Sequence, residues 1–192
     1  MSSPEEIYRS FIAFDIEHPS ILERIRMVQE ELAATRADLK LVEPQNIHVT
    51  VRFLGEIPRR KVEQVCEEMK RVSFPPFNIS LRGVGAFPNP RRPRVVWVGI
   101  GEGAKEISEI FSQLEQGIVK LGFQREDRGF NPHLTVARVR SGRNVERLAE
   151  RLAELANYDI GSFQAKTLRL KRSVLTGSGP TYSTLYETVC TT

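Results

Sequence analysis

The tetrapeptide His48-Val49-Thr50-Val51 returns 85 residues later as His133-Leu134-Thr135-Val136, and the two copies use two of the chain's three histidines. Each copy sits in an extended apolar run, Ile47 to Phe53 and His133 to Val139, that reads as a β-strand. Residues i and i+2 of a strand share a face, so each copy presents one imidazole and one hydroxyl side by side. A single H-x-T carries little weight, because threonine favours strands and a half-buried histidine is ordinary. Two copies in the same context, each followed by an arginine (Arg52, Arg138) and then a helix, are harder to assign to chance. If the two strands face each other, they form a cleft with a paired acid and base and two hydroxyl donors. That is a chemical kit for opening a phosphodiester without a metal.

Around the tetrads the pattern is a mixed alternation of strands and amphipathic helices. Tyr8 to Ile16 reads as a strand, and Pro19 opens a helix with Ile21, Ile25, Val28 and Leu32 on one face. A second helix begins near Pro58 with Val62, Val65, Met69 and Val72 inward, and Phe77 to Ala86 and Arg94 to Ile100 read as strands around a Pro88-Asn89-Pro90 loop. A third helix carries Ile107, Ile110, Phe111, Leu114, Ile118 and Leu121 at helical spacing. Asn144 is the expected N-cap of a fourth, with Val145, Leu148, Leu152 and Leu155 on one face. The tail reads as two strands, Phe163 to Thr176 and Thr181 to Val189, around the turn Gly177-Ser178-Gly179-Pro180. Each half thus gives an H-x-T strand followed by an amphipathic helix. No low-complexity linker separates them, so residues 1–192 are expected to form one domain of two lobes sharing a cleft.

Composition sets the bounds. Hydrophobic content of 40% and charged content of 27% are those of a globular protein, and 192 residues suffice for one substantial domain. There is no apolar run near membrane-spanning length and no secretory h-region after Met1, so the chain is expected to be cytoplasmic and away from membranes. Cys66 and Cys190 form no metal or redox spacing; structural thiols are the default, and a disulfide stays open. Arginine outnumbers lysine 21 to 7 within a net charge of only +4. Arg91, Arg92 and Arg94 punctuate a proline-rich loop, Arg125 and Arg128 precede the second tetrad, and Arg138, Arg140 and Arg143 close it. Guanidinium forks match phosphate oxygens, although Arg-rich surfaces also serve solubility and ion-pair networks.

The strings Asn46-Ile47-His48-Val49-Thr50-Val51-Arg52-Phe53-Leu54-Gly55-Glu56 and Pro132-His133-Leu134-Thr135-Val136-Ala137-Arg138 resemble the two-histidine (2H) phosphoesterase superfamily. Within it they resemble the LigT-like RNA 2',3'-cyclic phosphodiesterases, once called 2'-5' RNA ligases. The resemblance runs from the Phe11–Phe14 strand to the Gly179-Pro180-Thr181-Tyr182 turn, and no departure touches either tetrad. It implies a bilobal α+β fold, two pseudo-symmetric lobes of mainly antiparallel sheet with outer helices around a central cleft. It also implies hydrolysis of an RNA 2',3'-cyclic phosphate end to a 2'-phosphate by a monomer that uses no cofactor and no metal.

The chemistry asks for a base that deprotonates water and an acid that protonates the leaving ribose oxygen. Two imidazoles titrating near neutrality supply both, each contributing typically about 10²–10⁴-fold. The hydroxyls of Thr50 and Thr135 can donate to the charge that develops on the non-bridging oxygens. The resemblance casts His48 as acid at O3' and His133 as base, labels that could be exchanged. With an RNA 5'-hydroxyl in place of water the same site would run backwards as a ligation without ATP; no phosphate-binding loop is present in the sequence. His18, the third histidine, reads as a helix cap or an exposed side chain. Two other readings stay open: action on a small cyclic nucleotide, an ADP-ribose cyclic phosphate or a 2'-5' oligonucleotide, and a non-catalytic RNA-end binding module. Arg138 matches the arginine of the P-H-x-T-x-A-R string and is a candidate for substrate binding. Its odd offset from His133 points it away from the imidazole in an unbroken strand, so it reaches the cleft only where a bulge or the strand's end re-aims it. Otherwise it is an outer-face arginine paired with a helix carboxylate.

Overall fold

A computed structural model describes residues 5–126, 129–177 and 179–191. Among them the elements run β1 (Ile7–Asp15), α1 (Pro19–Ala34), β2 (Leu39–Leu41), β3 (His48–Pro58), α2 (Arg59–Met69), β4 (Phe77–Phe87), β5 (Val95–Ile100), α3 (Ala104–Lys120), β6 (His133–Val139), α4 (Val145–Glu154), β7 (Asp159–Ala165), β8 (Thr167–Thr176) and β9 (Gly179–Val189). A 3-10 turn, Pro44–Asn46, precedes β3.

The strands form one antiparallel sheet in the order β7-β4-β5-β6-β3-β1-β8-β9, with β2 added beside β6. This path divides into two quartets, β9-β8-β1-β3 and β7-β4-β5-β6, each with a tetrad strand innermost. They touch through a single register pair, Val49 opposite Leu134. The α+β lobes expected from the resemblance are these quartets, continuous with each other rather than separate sheets.

Two of the four helices described close the core by exchange between lobes, while α2 packs on β1 and β3 and α4 on β4 of their own quartets. Helix α1 leaves β1 but packs against β6, β7 and α4 of the other quartet, while α3 leaves β5 and packs against β3 and α2. The periodic faces explain the fit: Ile21, Ile25, Val28 and Leu32 of α1, and Ile107, Ile110, Leu114 and Ile118 of α3, are all buried. Burying such side chains is worth about 1.5–3 kcal/mol each before entropy is counted.

Three expectations change. The long tail strand is two, because the chain turns at Lys166 and passes from lobe to lobe: Phe77 pairs with Ala165 on β7, whereas Ile12 pairs with Leu170 on β8. Strand β2 is too short for any periodicity to announce it. Asn144 does precede α4, but its φ of 54° is left-handed and its side chain makes no cap. Its Nδ2 donates instead to the Arg36 carbonyl at 2.9 Å, tying the start of α4 to the end of α1. Ser178 of the expected turn lies outside the described residues.

The core also holds an ion pair. Arg52 of β3 donates from Nε to Glu115 of α3 at 2.7 Å and from Nη2 to the Gln124 carbonyl at 2.6 Å, while Glu115 accepts the Glu126 amide at 2.8 Å. Both side chains are under a tenth exposed. The first tetrad strand therefore anchors the segment that leads towards the second. Removing one partner strands a buried charge, so Arg52→Ala is expected to lower unfolding stability by about 3–5 kcal/mol. Replacing both, Arg52→Met with Glu115→Leu, should recover most of that loss, as denaturant unfolding of the three variants would reveal.

Candidate active site

Val49 and Leu134 are fully buried and face the core, so their neighbours face outward on the other side of the sheet. Antiparallel pairing of Val49 with Leu134 sets His48 opposite Thr135 and Thr50 opposite His133. Residues directly opposite have Cβ atoms about 4.5–5.5 Å apart and diagonal neighbours lie about 7–8 Å apart. The two imidazoles therefore occupy one diagonal of a small square and the two hydroxyls the other. All four residues are half-buried.

Each ring is held in the same way. His48 Nδ1 lies 2.7 Å from the Asn46 carbonyl and His133 Nδ1 lies 2.8 Å from the Asn131 carbonyl. A carbonyl only accepts, so Nδ1 carries the proton and Nε2 is left as the free nitrogen of each ring. Aromatic side chains fix the planes. Phe11 stacks on His48 at 4.7 Å between centroids, and Tyr182 meets the same ring edge-on at 5.4 Å. Phe87 meets His133 edge-on at 5.0 Å and packs on Trp97, the residue paired with Thr135. Gly85 makes room for that indole: any Cβ there would fall 2.4 Å from it.

The electrostatics differ between the two halves. Asp15, opposite His48 on β1, accepts from Lys171 at 2.5 Å and from Arg169 at 3.1 Å. Burial lowers the proton affinity of His48, opposed by the Asn46 carbonyl and Asp15 and assisted by Lys171 and His133.

Arg138 turns on one irregularity. The β5–β6 register shifts between Val96 opposite Ala137 and Trp97 opposite Thr135, leaving Val136 as a bulged residue. One extra residue reverses the alternation, so Val136 and Ala137 are both buried and Arg138 returns to the face of His133 and Thr135. Gln29 of α1 secures the bulge by donating from Nε2 to the Val136 carbonyl at 2.9 Å and to the Val42 carbonyl at 2.8 Å. Burial pushes the Tyr182 phenol up while Arg138 and Arg9 pull it down, so both guanidiniums lie within electrostatic reach of the ring against His48. Strand β3 carries the matching bulge at Val51, between Ala13 opposite Thr50 and Ile12 opposite Arg52.

Phe11, Phe87, Trp97 and Tyr182 escaped sequence reading because each reads as an ordinary strand aromatic. Asn46 and Asn131 stand two places before each tetrad, and that shared spacing was the available signal. His18 is exposed and bonds Ser20 Oγ at 3.0 Å rather than the helix backbone. Cys66 and Cys190 are both free. Arg128 lies outside the described residues. Among the described residues, no three His, Cys, Asp or Glu side chains gather as a metal-ligand set, and no helix is long and apolar enough to cross a membrane.

Two matched half-sites, each supplying one ring and one hydroxyl, define the two-histidine phosphoesterase class. The model of LigT-like phosphoesterases matches this chain twice, over residues 16–97 and 98–182, with one tetrad in each match. The chain belongs to that family. Proteins named RNA 2',3'-cyclic phosphodiesterase from Aeropyrum pernix and Methanothermobacter thermautotrophicus are 42% and 40% identical to it. The first alignment covers 85% of this chain and 93% of the relative, the second 91% and 95%. The crystal structure of TT0787 of Thermus thermophilus superposes with a TM-score of 0.78 at 26% identity, covering 94% of this chain and 97% of that one. Escherichia coli LigT complexed with 3'-AMP shares the fold with a TM-score of 0.78 at 22% identity, covering 97% and 100%.

A folded-state pKa below the ordinary 6.5 makes neutral His48 the favoured form in the native protein. Between the two values the unfolded chain binds more protons, so this contribution to stability is present above pH 6.5 and lost as pH falls through the folded pKa. NMR titration of the His48 ring in the free protein should give a midpoint below 6.5, and His48→Gln should reduce the acid-side loss of stability. A midpoint above 6.5 would overturn the burial argument.

Proposed function

We propose that this chain hydrolyses RNA 2',3'-cyclic phosphate ends to 2'-phosphates by acid–base catalysis between His48 and His133. The observation that carries the reading is the diagonal square: two imidazoles on one face of the sheet, each with Nδ1 held by a backbone carbonyl and Nε2 left for substrate, with Thr50 and Thr135 on the other diagonal. The names of the relatives support the substrate.

In the scheme, one Nε2 takes a proton from water as it attacks phosphorus, and the other gives a proton to the departing ribose oxygen. The threonine hydroxyls donate to the non-bridging oxygens, where charge accumulates. Arg138 binds phosphate from the same face. The family resemblance makes His48 the acid at O3'. Burial works against a proton there in the free protein, so that role depends on the anionic phosphate restoring the ring's proton affinity on binding; in the exchanged roles His48 is the base. The scheme uses no metal or cofactor. It needs both halves, so residues 1–192 act as one bilobal domain, and each monomer holds a whole site. Reversal, with an RNA 5'-hydroxyl in place of water, gives ATP-independent 2'-5' ligation; water outnumbers RNA ends, so hydrolysis dominates unless the ends are held together.

On a cyclic-ended RNA the product should carry a 2'-phosphate and the rate should be unchanged in EDTA. A 3'-phosphate would reverse the leaving oxygen, and chelator-sensitive turnover would reject the metal-free scheme. His48→Ala and His133→Ala should each lower kcat by at least about 10²-fold with the fold intact. Thr50→Val and Thr135→Val should cost about 10–100-fold, the loss of one hydrogen bond to developing charge. Near-wild-type turnover in either histidine variant would make that ring structural.

For Arg138→Ala the expected change is a higher KM for RNA and a flatter salt dependence, because one cation that neutralises a phosphate is removed. Unchanged KM and salt slope with reduced thermal stability would assign Arg138 to the scaffold.

A further inference from the structure

The fold gathers cations from three distant segments at one end of lobe two. Lys40 of β2 stands directly opposite Arg138 of β6 and so shares its face. Like charges directly opposed across a strand pair are destabilising, yet neither has a carboxylate partner among the described residues. Lys40 extends to the β8–β9 hairpin, its Nζ 3.4 Å from where a Cβ on Gly179 would lie. The same hairpin is fastened to the site by Asn46 Nδ2, which donates to the Pro180 carbonyl at 2.8 Å, and it carries Tyr182 against His48.

On the β5 side of Arg138 the Arg94 carbonyl accepts the Val139 amide at 2.9 Å, and on the β2 side the Arg140 amide donates to the Asp38 carbonyl at 2.8 Å. Arg91 and Arg92 follow from the same loop, their amides capped by Asn89 Oδ1 at 3.1 and 3.0 Å. All of these side chains are exposed and none is ion-paired within the described residues. The opposite end of the site is different. The recess of about 640 Å³ beside Asp15 is lined by Arg169 and Lys166 but also by Asp15 and Glu17. Arg169 there is matched by Asp15, Glu17 and Glu187. Arg169 and Lys171 at that end have carboxylate partners, whereas among the described residues the cations at the lobe-two end have none.

We propose that the basic rim formed by Lys40, Arg91, Arg92, Arg94 and Arg140 binds the single-stranded RNA body behind the cyclic end. Its phosphates cross the β2–β6–β5 end of lobe two, with Arg138 linking the rim to the catalytic square. The inference rests on the proposed RNA reading and gives it a direction: a long RNA is held by a surface that a nucleoside cyclic phosphate does not reach. The like-charge pair Lys40–Arg138 supplies a physical reason, since an anion between them removes the repulsion that the folded chain leaves unanswered.

The test uses the full chain and labelled RNAs ending in 2'-phosphate, one of two nucleotides and one of roughly 12, within the span of single-strand sites. Affinity is measured by fluorescence anisotropy across a salt series. Two neutralised variants, Arg140→Gln, and Arg91→Gln with Arg92→Gln and Arg94→Gln, should each weaken the long RNA, the triple variant by about tenfold or more, and flatten its salt slope by about 0.7 for each phosphate no longer neutralised. The dinucleotide should bind as before. Unchanged affinity for the long RNA overturns the proposal, as does an equal loss for both lengths, which would mean a distorted site. Turnover of a nucleoside 2',3'-cyclic phosphate by the unaltered protein is read separately. If the unaltered protein also fails to turn over a cyclic-ended RNA of roughly 12 nucleotides the reaction is wrong, while the length-dependent binding still decides the rim.

Discussion

One backbone contact organises the site: Val49 opposite Leu134, the pair through which the two quartets become one sheet. A strand pair has only two faces, so burying these two side chains forces both histidines and both threonines to the other side. A slip of one residue in either strand would send that strand's ring and hydroxyl into the core. The identical carbonyl clamps on Nδ1 then complete the arrangement. The geometry of the four polar side chains is thus specified by the hydrophobic residues between them.

The bulges add what uniform strands lack. Strict alternation after Thr135 would place Arg138 in or behind the core; the extra residue Val136 turns it back to the cleft. At the bulge the Val136 carbonyl accepts two bonds, one from the Val42 amide at 2.9 Å and one from the Gln29 amide of a helix more than a hundred residues earlier, at 2.9 Å. A buried glutamine on an otherwise apolar helix face thus serves the position of an arginine in the site.

Much of this was legible in the amino-acid order. Helical periodicity located the buried faces of α1 and α3, and the two tetrads marked the strands that the fold brings side by side. What stayed hidden shares a cause: it depends on contacts between residues far apart in the chain. Nothing local at Lys166 tells the chain to leave one lobe for the other, since both flanking segments have strand character. Asn144 has the composition of a cap, but tertiary geometry recruits its amide to Arg36. The aromatic lining of Phe11, Phe87, Trp97 and Tyr182 obeys the same residue preferences as any sheet and gains meaning only from the rings it touches.

The exchange of helices between the quartets has a mechanical consequence. Because α1 arises in one lobe and seals the other, and α3 does the reverse, each half of the chain carries the lid of its counterpart. The remaining helices stay at home, α2 on β1 and β3 and α4 on β4, so each interior is closed by one helix of its own lobe and one from the other. Prying the lobes apart would require unsealing both interiors together, so the space between the histidines behaves as a braced aperture rather than as jaws on a hinge.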